Sequence, residues 1–141
     1  MESLAFAAEC SNVTRIDVDA GIRYYVGNVS GYKKALYATL RSIRGKLPII
    51  YGMIEYNEYY GFSNIAGTLS TICKSVGANE LAETTKELQT AALNYDYSFM
   101  ARELPKYRDE LEDLLSEAVE VVRVIDRIEK TEGSVAVYQA I

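Results

Sequence analysis

Apolar residues recur along this chain at steps of three and four, with polar and charged residues between them, from near residue 2 to about residue 132. That period belongs to amphipathic helices and not to the strict alternation of strands. Read this way, residues 2–10 form a first short helix. "TRIDVDAGIRYYVGN" opens on a capping-type spacing from Thr14 to Asp17 and carries Ile16, Ala20, Tyr24 and Val26 or Gly27 towards an end near Gly27. In "SGYKKALYATLRSIRGKLP" Ser30 is the expected N-cap, and Tyr32, Leu36, Leu40 and Ile43 make one stripe. Gly45 and Pro48 interrupt or bend this element. It therefore reads either as two helices or as one kinked helix resuming through Ile49, Ile50, Met53 and Ile54.

Asn57 is expected to cap the next helix, which runs to about Val76 and stops at Gly77. Asn79 caps another, with Leu81, Thr84 or Thr85, Leu88 and Ala91 or Ala92 on its stripe and an end near Asn94. "NYDYS" reads as a loop. From about Ser98 to Glu132 the stripe of Leu104, Tyr107, Leu111, Leu114 or Leu115, Ala118, Val121 or Val122, Ile125 and Ile128 is again helical, with Pro105 starting a new helix or kinking this one. Residues 133–141 have no assignable pattern. There are no repeats or linkers, so residues 1–141 form one all-α domain, a helix bundle with one or two added N-terminal helices.

One position breaks the pattern. Phe62, Ile65, Ala66, Leu69, Ile72, Cys73 and Val76 make the buried stripe of their helix. Gly67 lies roughly 150° from that stripe at 100° per residue, so it faces outward. A helical glycine costs about 1 kcal/mol relative to alanine. Its neighbours on the outer face are Ser63, Asn64, Ser70, Thr71, Lys74 and Ser75. Ser63, Gly67, Thr71 and Ser75 form a row of small residues along which another helix can approach closely; the alternative is a solvated face with an incidental glycine.

Composition narrows the chemistry. The chain of 141 residues is half apolar, with a net charge of −5 and both signs interspersed, which disfavours nucleic acid as a partner. No apolar run is long enough for a membrane span. The opening "MESLAFAAEC" has an acidic residue at position 2 and no basic run, so it does not read as a signal peptide, and the expected location is cytoplasmic. Cys10 and Cys73 are expected to be reduced and buried. Histidine is absent. That removes Ser-His-Asp and Cys-His catalysis and His-liganded metals together, and no cofactor or metal is expected.

"AGTLSTICKSVGANELAETTKELQTAA" resembles the signature of histidine phosphotransfer (HPt) domains, which reads A-H-x-L-K-G-S-x-x-x-[IL]-G-A-x-x-L. Ala66, Leu69, Val76, Gly77, Ala78, Leu81 and Leu88 fall on the pattern. The upstream "IDVDAGIRYYVGNVSGYKKALYATL" and the downstream "FMARELPKYRDELEDLL" resemble the family's flanking helices. The resemblance covers about residues 15–115. It implies an antiparallel four-helix bundle, here with an extra N-terminal helix and a last helix extended to about residue 132. It also implies a place in two-component phosphorelay. The accepting histidine of the family falls on Gly67, its phosphoryl-holding lysine on Ser70, and the following glycine on Thr71. Thr68 and Ser70 bear hydroxyls without an activating histidine. The expectation is therefore a non-catalytic module that binds a receiver domain or a histidine kinase through Ser63, Asn64, Gly67, Ser70, Thr71 and Lys74 without taking phosphate. The alternative is a structural bundle that self-associates, as a homodimer, through the same row.

Three further features stand apart. "YGMIEYNEYY" holds Tyr51, Tyr56, Tyr59 and Tyr60, either as a contact patch or as packing at the bundle end with wet hydroxyls. In "RDELEDLLSEAVEVVRVIDRIEK" the alternating charges read as a solvated face laced with salt bridges; the alternative is that Val121, Val124, Ile125 and Ile128 pack on the N-terminal helix or on a second copy. Glu110, Glu112 and Asp113 lie together without a histidine and make a poor metal site.

Overall fold

Helix ends decide where the apolar stripes can turn, and the first two helices begin at side chains that cap them. In the computed structural model, which describes residue 10 and residues 13–132, five α-helices and one 3-10 turn follow one another, and no strand occurs among the described residues. The helix expected over residues 2–10 lies outside the described residues except for Cys10, and so does the tail 133–141. Helix α1 spans Val18–Tyr24, with Asp17 as its N-cap accepting from the Ala20 amide at 3.0 Å. Thr14 is not the cap; it bonds the distant Glu117 instead. Helix α2 spans Val29–Tyr56 and is capped by Asn28, whose Oδ1 accepts from the Gly31 amide at 2.9 Å, so Ser30 lies inside the helix. Gly45 and Pro48 do not break it.

Asn57 ends α2 instead of starting the next helix. It sits in the left-handed region at φ 54°, a conformation that asparagine tolerates better than most residues. A 3-10 turn at Tyr60–Phe62 leads into α3, Ser63–Ser75. Helix α4 spans Asn79–Leu93; Ala78 occupies its N-cap position without a side-chain bond, so Asn79 is its first residue and not its cap. The loop after α4 shrinks to Asn94–Asp96, and α5 runs unbroken from Tyr97 to Glu132 through Pro105. No helix among the described residues is long and apolar enough to cross a membrane.

Packing closes a ring: α2 lies on α5, α5 on α4, α4 on α3 and α3 on α2. The ring is uneven. Helices α2 and α5 have 28 and 36 residues, α3 and α4 only 13 and 15. At 1.5 Å per residue the long pair outruns the short hairpin by about 20–35 Å. Part of that excess is covered by the chain's own N-terminal stretch. Ile16, Val18 and Ile22 are buried in the same core as Val121, Val124 and Ile125, so these last three need no second copy to cover them.

The stretch is fastened at two places. Glu117 on α5 gathers the amides of Thr14, Arg15 and Ile16 at 3.2, 2.8 and 3.2 Å. At the α3–α4 turn the Asp17 amide donates to the Gly77 carbonyl at 2.9 Å, and the Tyr32 hydroxyl donates to the Val76 carbonyl at 2.8 Å. Gly77 has φ +93°, and a Cβ on it would lie 2.1 Å from the Asp17 oxygen, so backbone meets backbone here.

Candidate functional site

Helix α3 presents two unlike faces. Ala66, Leu69 and Cys73 are fully buried, continued by Phe62 and Val76 at its ends. Phe62 meets the Tyr107 ring edge-on, with centroids 5.7 Å apart at 85°, which anchors the start of α3 on α5. Burial pushes the Cys73 thiol up to about 12, so it stays protonated and inert. Tyr107, also raised by burial, reaches the Thr85 hydroxyl at 2.6 Å. Since the Thr85 hydroxyl donates to the Leu81 carbonyl at 2.7 Å, Tyr107 is the donor in that contact.

On the outer face Asn64, Gly67, Thr68, Thr71 and Lys74 are exposed. A Cβ added to Gly67 would meet nothing within 4 Å. No tertiary neighbour therefore requires a glycine there. Lys74 is the one charged residue in α3. Ser63 is half-buried, its hydroxyl donating back to the Tyr60 carbonyl at 2.9 Å. Ser75 is half-buried as well and donates to the Ile72 carbonyl at 2.8 Å.

Ser70 is a correction to the outward face read from periodicity. It is 9% exposed, and its hydroxyl points to the Ala82 carbonyl of α4, 3.4 Å away. Periodicity assumes a helix covered on one side. Here α4 packs against the flank of α3, and a small polar residue at that flank lets the two helices approach. Of the residues predicted for this face, Asn64, Gly67, Thr71 and Lys74 are exposed and Ser63 is half-buried at its margin.

The remaining candidates separate. Glu110 and Asp113 both take the Arg15 guanidinium, each at 3.2 Å, while Glu112 turns aside to accept from the Tyr51 hydroxyl. That bond raises the Tyr51 pKa, because it stabilises the protonated phenol. The Arg108 guanidinium lies 5.2 Å from the Tyr51 ring centre. Tyr51 thus leaves the tyrosine group that its sequence position suggested.

Tyr59 is buried, its hydroxyl donating to Asn57 Oδ1 at 2.8 Å. Tyr60 stacks on Tyr95, centroids 5.2 Å apart at 9°, and Tyr97 meets Tyr59 and Tyr95 edge-on at 5.8 and 6.2 Å. Tyr59, Tyr60 and Tyr97, but not Tyr95, border an open groove of about 530 Å³ at the end of α2 and the start of α3. The sequence pattern places Tyr95 and Tyr97 only in a loop. The available signal was hairpin geometry: two adjacent antiparallel helices of nearly equal length must bring the residue before the first beside the residue after the second.

No protein-family model, no curated protein and no solved structure matches this chain.

Proposed function

We propose that this chain is a non-catalytic signalling module of histidine-phosphotransfer type. In this reading the ring of helices is an antiparallel four-helix bundle with an added N-terminal helix. Its outer α3 face docks a receiver domain or a histidine kinase of a two-component phosphorelay without accepting phosphate. One observation carries the reading: Gly67 stands where the resembled family places its accepting histidine, in mid-helix, exposed, with open space where a Cβ would begin.

The chemistry follows from what that face holds. A phosphoramidate needs an imidazole nitrogen, and the sequence has none. Thr68 offers an exposed hydroxyl but lacks a neighbouring base, and Ser70 is turned into the α3–α4 interface. Replacing histidine by glycine leaves room instead of a clash. A partner helix or loop that normally closes around an imidazole can still come to van der Waals distance. Binding without transfer would occupy the partner and withhold it from an active relay protein. Lys74, one turn beyond Thr71, supplies the single positive charge for orienting an acidic partner surface.

The test uses purified receiver domains and kinase dimerisation domains from the source cell, titrated with the full chain by calorimetry. At least one is expected to bind, and Gly67→Glu is expected to weaken it by tenfold or more, about 1.4 kcal/mol. Incubation with a radiolabelled phospho-receiver is expected to leave the chain unlabelled. Failure of every receiver and kinase to bind, or equal binding by Gly67→Glu, overturns the reading. So does a concentration-dependent dimer that Gly67→Glu abolishes, which would assign the face to self-association.

A further inference from the structure

The tyrosine-bordered groove lies outside the α3 face proposed for docking. It is lined by Met53, Tyr56, Glu58, Tyr59, Tyr60 and Tyr97, with glycines and Asn57 between them. We propose that this groove is a binding site for an organic cation, a guanidinium or an alkylated ammonium group.

Three properties converge on that chemistry. The first is aromatic. Four tyrosines line the groove, and a tyrosine ring attracts a cation that comes within about 6 Å of its centre. The second is charge. Glu58 is the one ionisable acid or base among the lining residues besides the tyrosines, so the site is negative with no cation to balance it. Neither Glu58 nor its neighbour Glu55 forms an ion pair with a described residue. The third is the helix end. Met53 and Tyr56 belong to the last turn of the 28-residue α2, where the backbone carbonyls leave a partial negative charge. Such an end favours a basic side chain. Here the last turn holds none and carries Glu55 instead. A bound cation would satisfy the rings, the carboxylate and the helix end together.

The site is also arranged in advance. Asn57 is held in the left-handed region and bonded by the Tyr59 hydroxyl. Tyr95, itself at φ 58°, stacks on Tyr60 without lining the groove, and Tyr97 braces Tyr59. Ordering these rings before the ligand arrives removes part of the entropy cost of binding. The groove's volume lies within the usual range for small-ligand sites.

Two matched pairs of probes test this on the full isotope-labelled chain by NMR titration. Choline is compared with its neutral isostere 3,3-dimethylbutanol, and acetyl-arginine-amide with acetyl-citrulline-amide. The expected result is saturable shifts of the Gly52, Glu58, Gly61 and Tyr97 amides with at least one cation. The matching neutral probe is expected to bind at least about fivefold more weakly. Preference for choline points to a free small-molecule cation, and preference for the arginine derivative points to a side chain of a bound polypeptide. Glu58→Gln, a change at an exposed position, is expected to weaken the cation by about threefold or more and leave the neutral probe unaffected. Equal binding of charged and neutral probes, no binding of either cation, or an unaltered cation affinity in Glu58→Gln overturns the proposal.

Discussion

Two glycines mark α3 and the turn behind it, and they ask opposite things of a side chain. At Gly67 a Cβ meets open space on an exposed helical face. Gly67→Ala is therefore expected to stabilise the fold by about 0.5–1 kcal/mol, read as a higher urea midpoint with an unchanged slope. At Gly77 the same methyl would collide with the Asp17 carbonyl from a backbone at φ +93°. Gly77→Ala is expected to destabilise by about 1–3 kcal/mol and to loosen α1 from the α3–α4 turn, visible as faster hydrogen exchange at Asp17. Helical periodicity places Gly67 on an exposed face, and the preference of glycine for the position after a helix marks Gly77 as a stop. Periodicity misplaced Ser70, because the neighbour that covers the flank of a helix cannot be read from that helix.

At the scale of elements, the caps explain most of the differences between expectation and structure. Asn28 and Asp17 start helices where Ser30 and Thr14 were expected, and Asn57 closes one where it was expected to open another. Each of these residues suits a turn or a cap, and composition does not say which of two adjacent polar residues the chain uses. Thr14 was drawn away by a carboxylate more than a hundred residues along the chain. That anchor gives a prediction. Glu117→Ala removes the acceptor of three backbone amides and is expected to cost about 1–3 kcal/mol. It should expose the Thr14, Arg15 and Ile16 amides to exchange. Arg15→Ala, which breaks two solvent-screened ion pairs, is expected to cost less than about 1 kcal/mol in the same urea series.

For the whole molecule, burial of neutral acids links stability to alkaline pH. The Cys73 thiol is raised from 9.0 to about 12, and the Tyr32 and Tyr107 phenols are raised from 10.0, chiefly by burial. The folded chain therefore holds protons that the unfolded chain releases. Stability is full below about pH 9 and falls above it, by about 1.4 kcal/mol per pH unit for each group once the unfolded value is passed. Lys33, raised mainly by its hydrogen bond to Asp126, acts in the same direction at higher pH. Urea midpoints between pH 7 and pH 11 are expected to be flat and then to decline. Cys73→Ala should move the onset from about 9 towards 10. A flat profile through pH 11 would contradict the burial of these groups.

The sequence by itself determined the helices, the stripes they bury, the absence of imidazole chemistry and the outward aspect of Gly67. All four depend on residue identity and the 3.6-residue period, which act locally. Tertiary structure decided what lies beside each helix. It turned Ser70 into the α3–α4 interface, fastened residues 14–16 to Glu117, and drew Tyr51 to Glu112. It also gathered Tyr59, Tyr60 and Tyr97 around one groove and stacked Tyr95 on Tyr60 from the far end of the α3–α4 hairpin. Those outcomes depend on which surfaces meet, and contacts between residues far apart in the chain exist only once the whole core has closed.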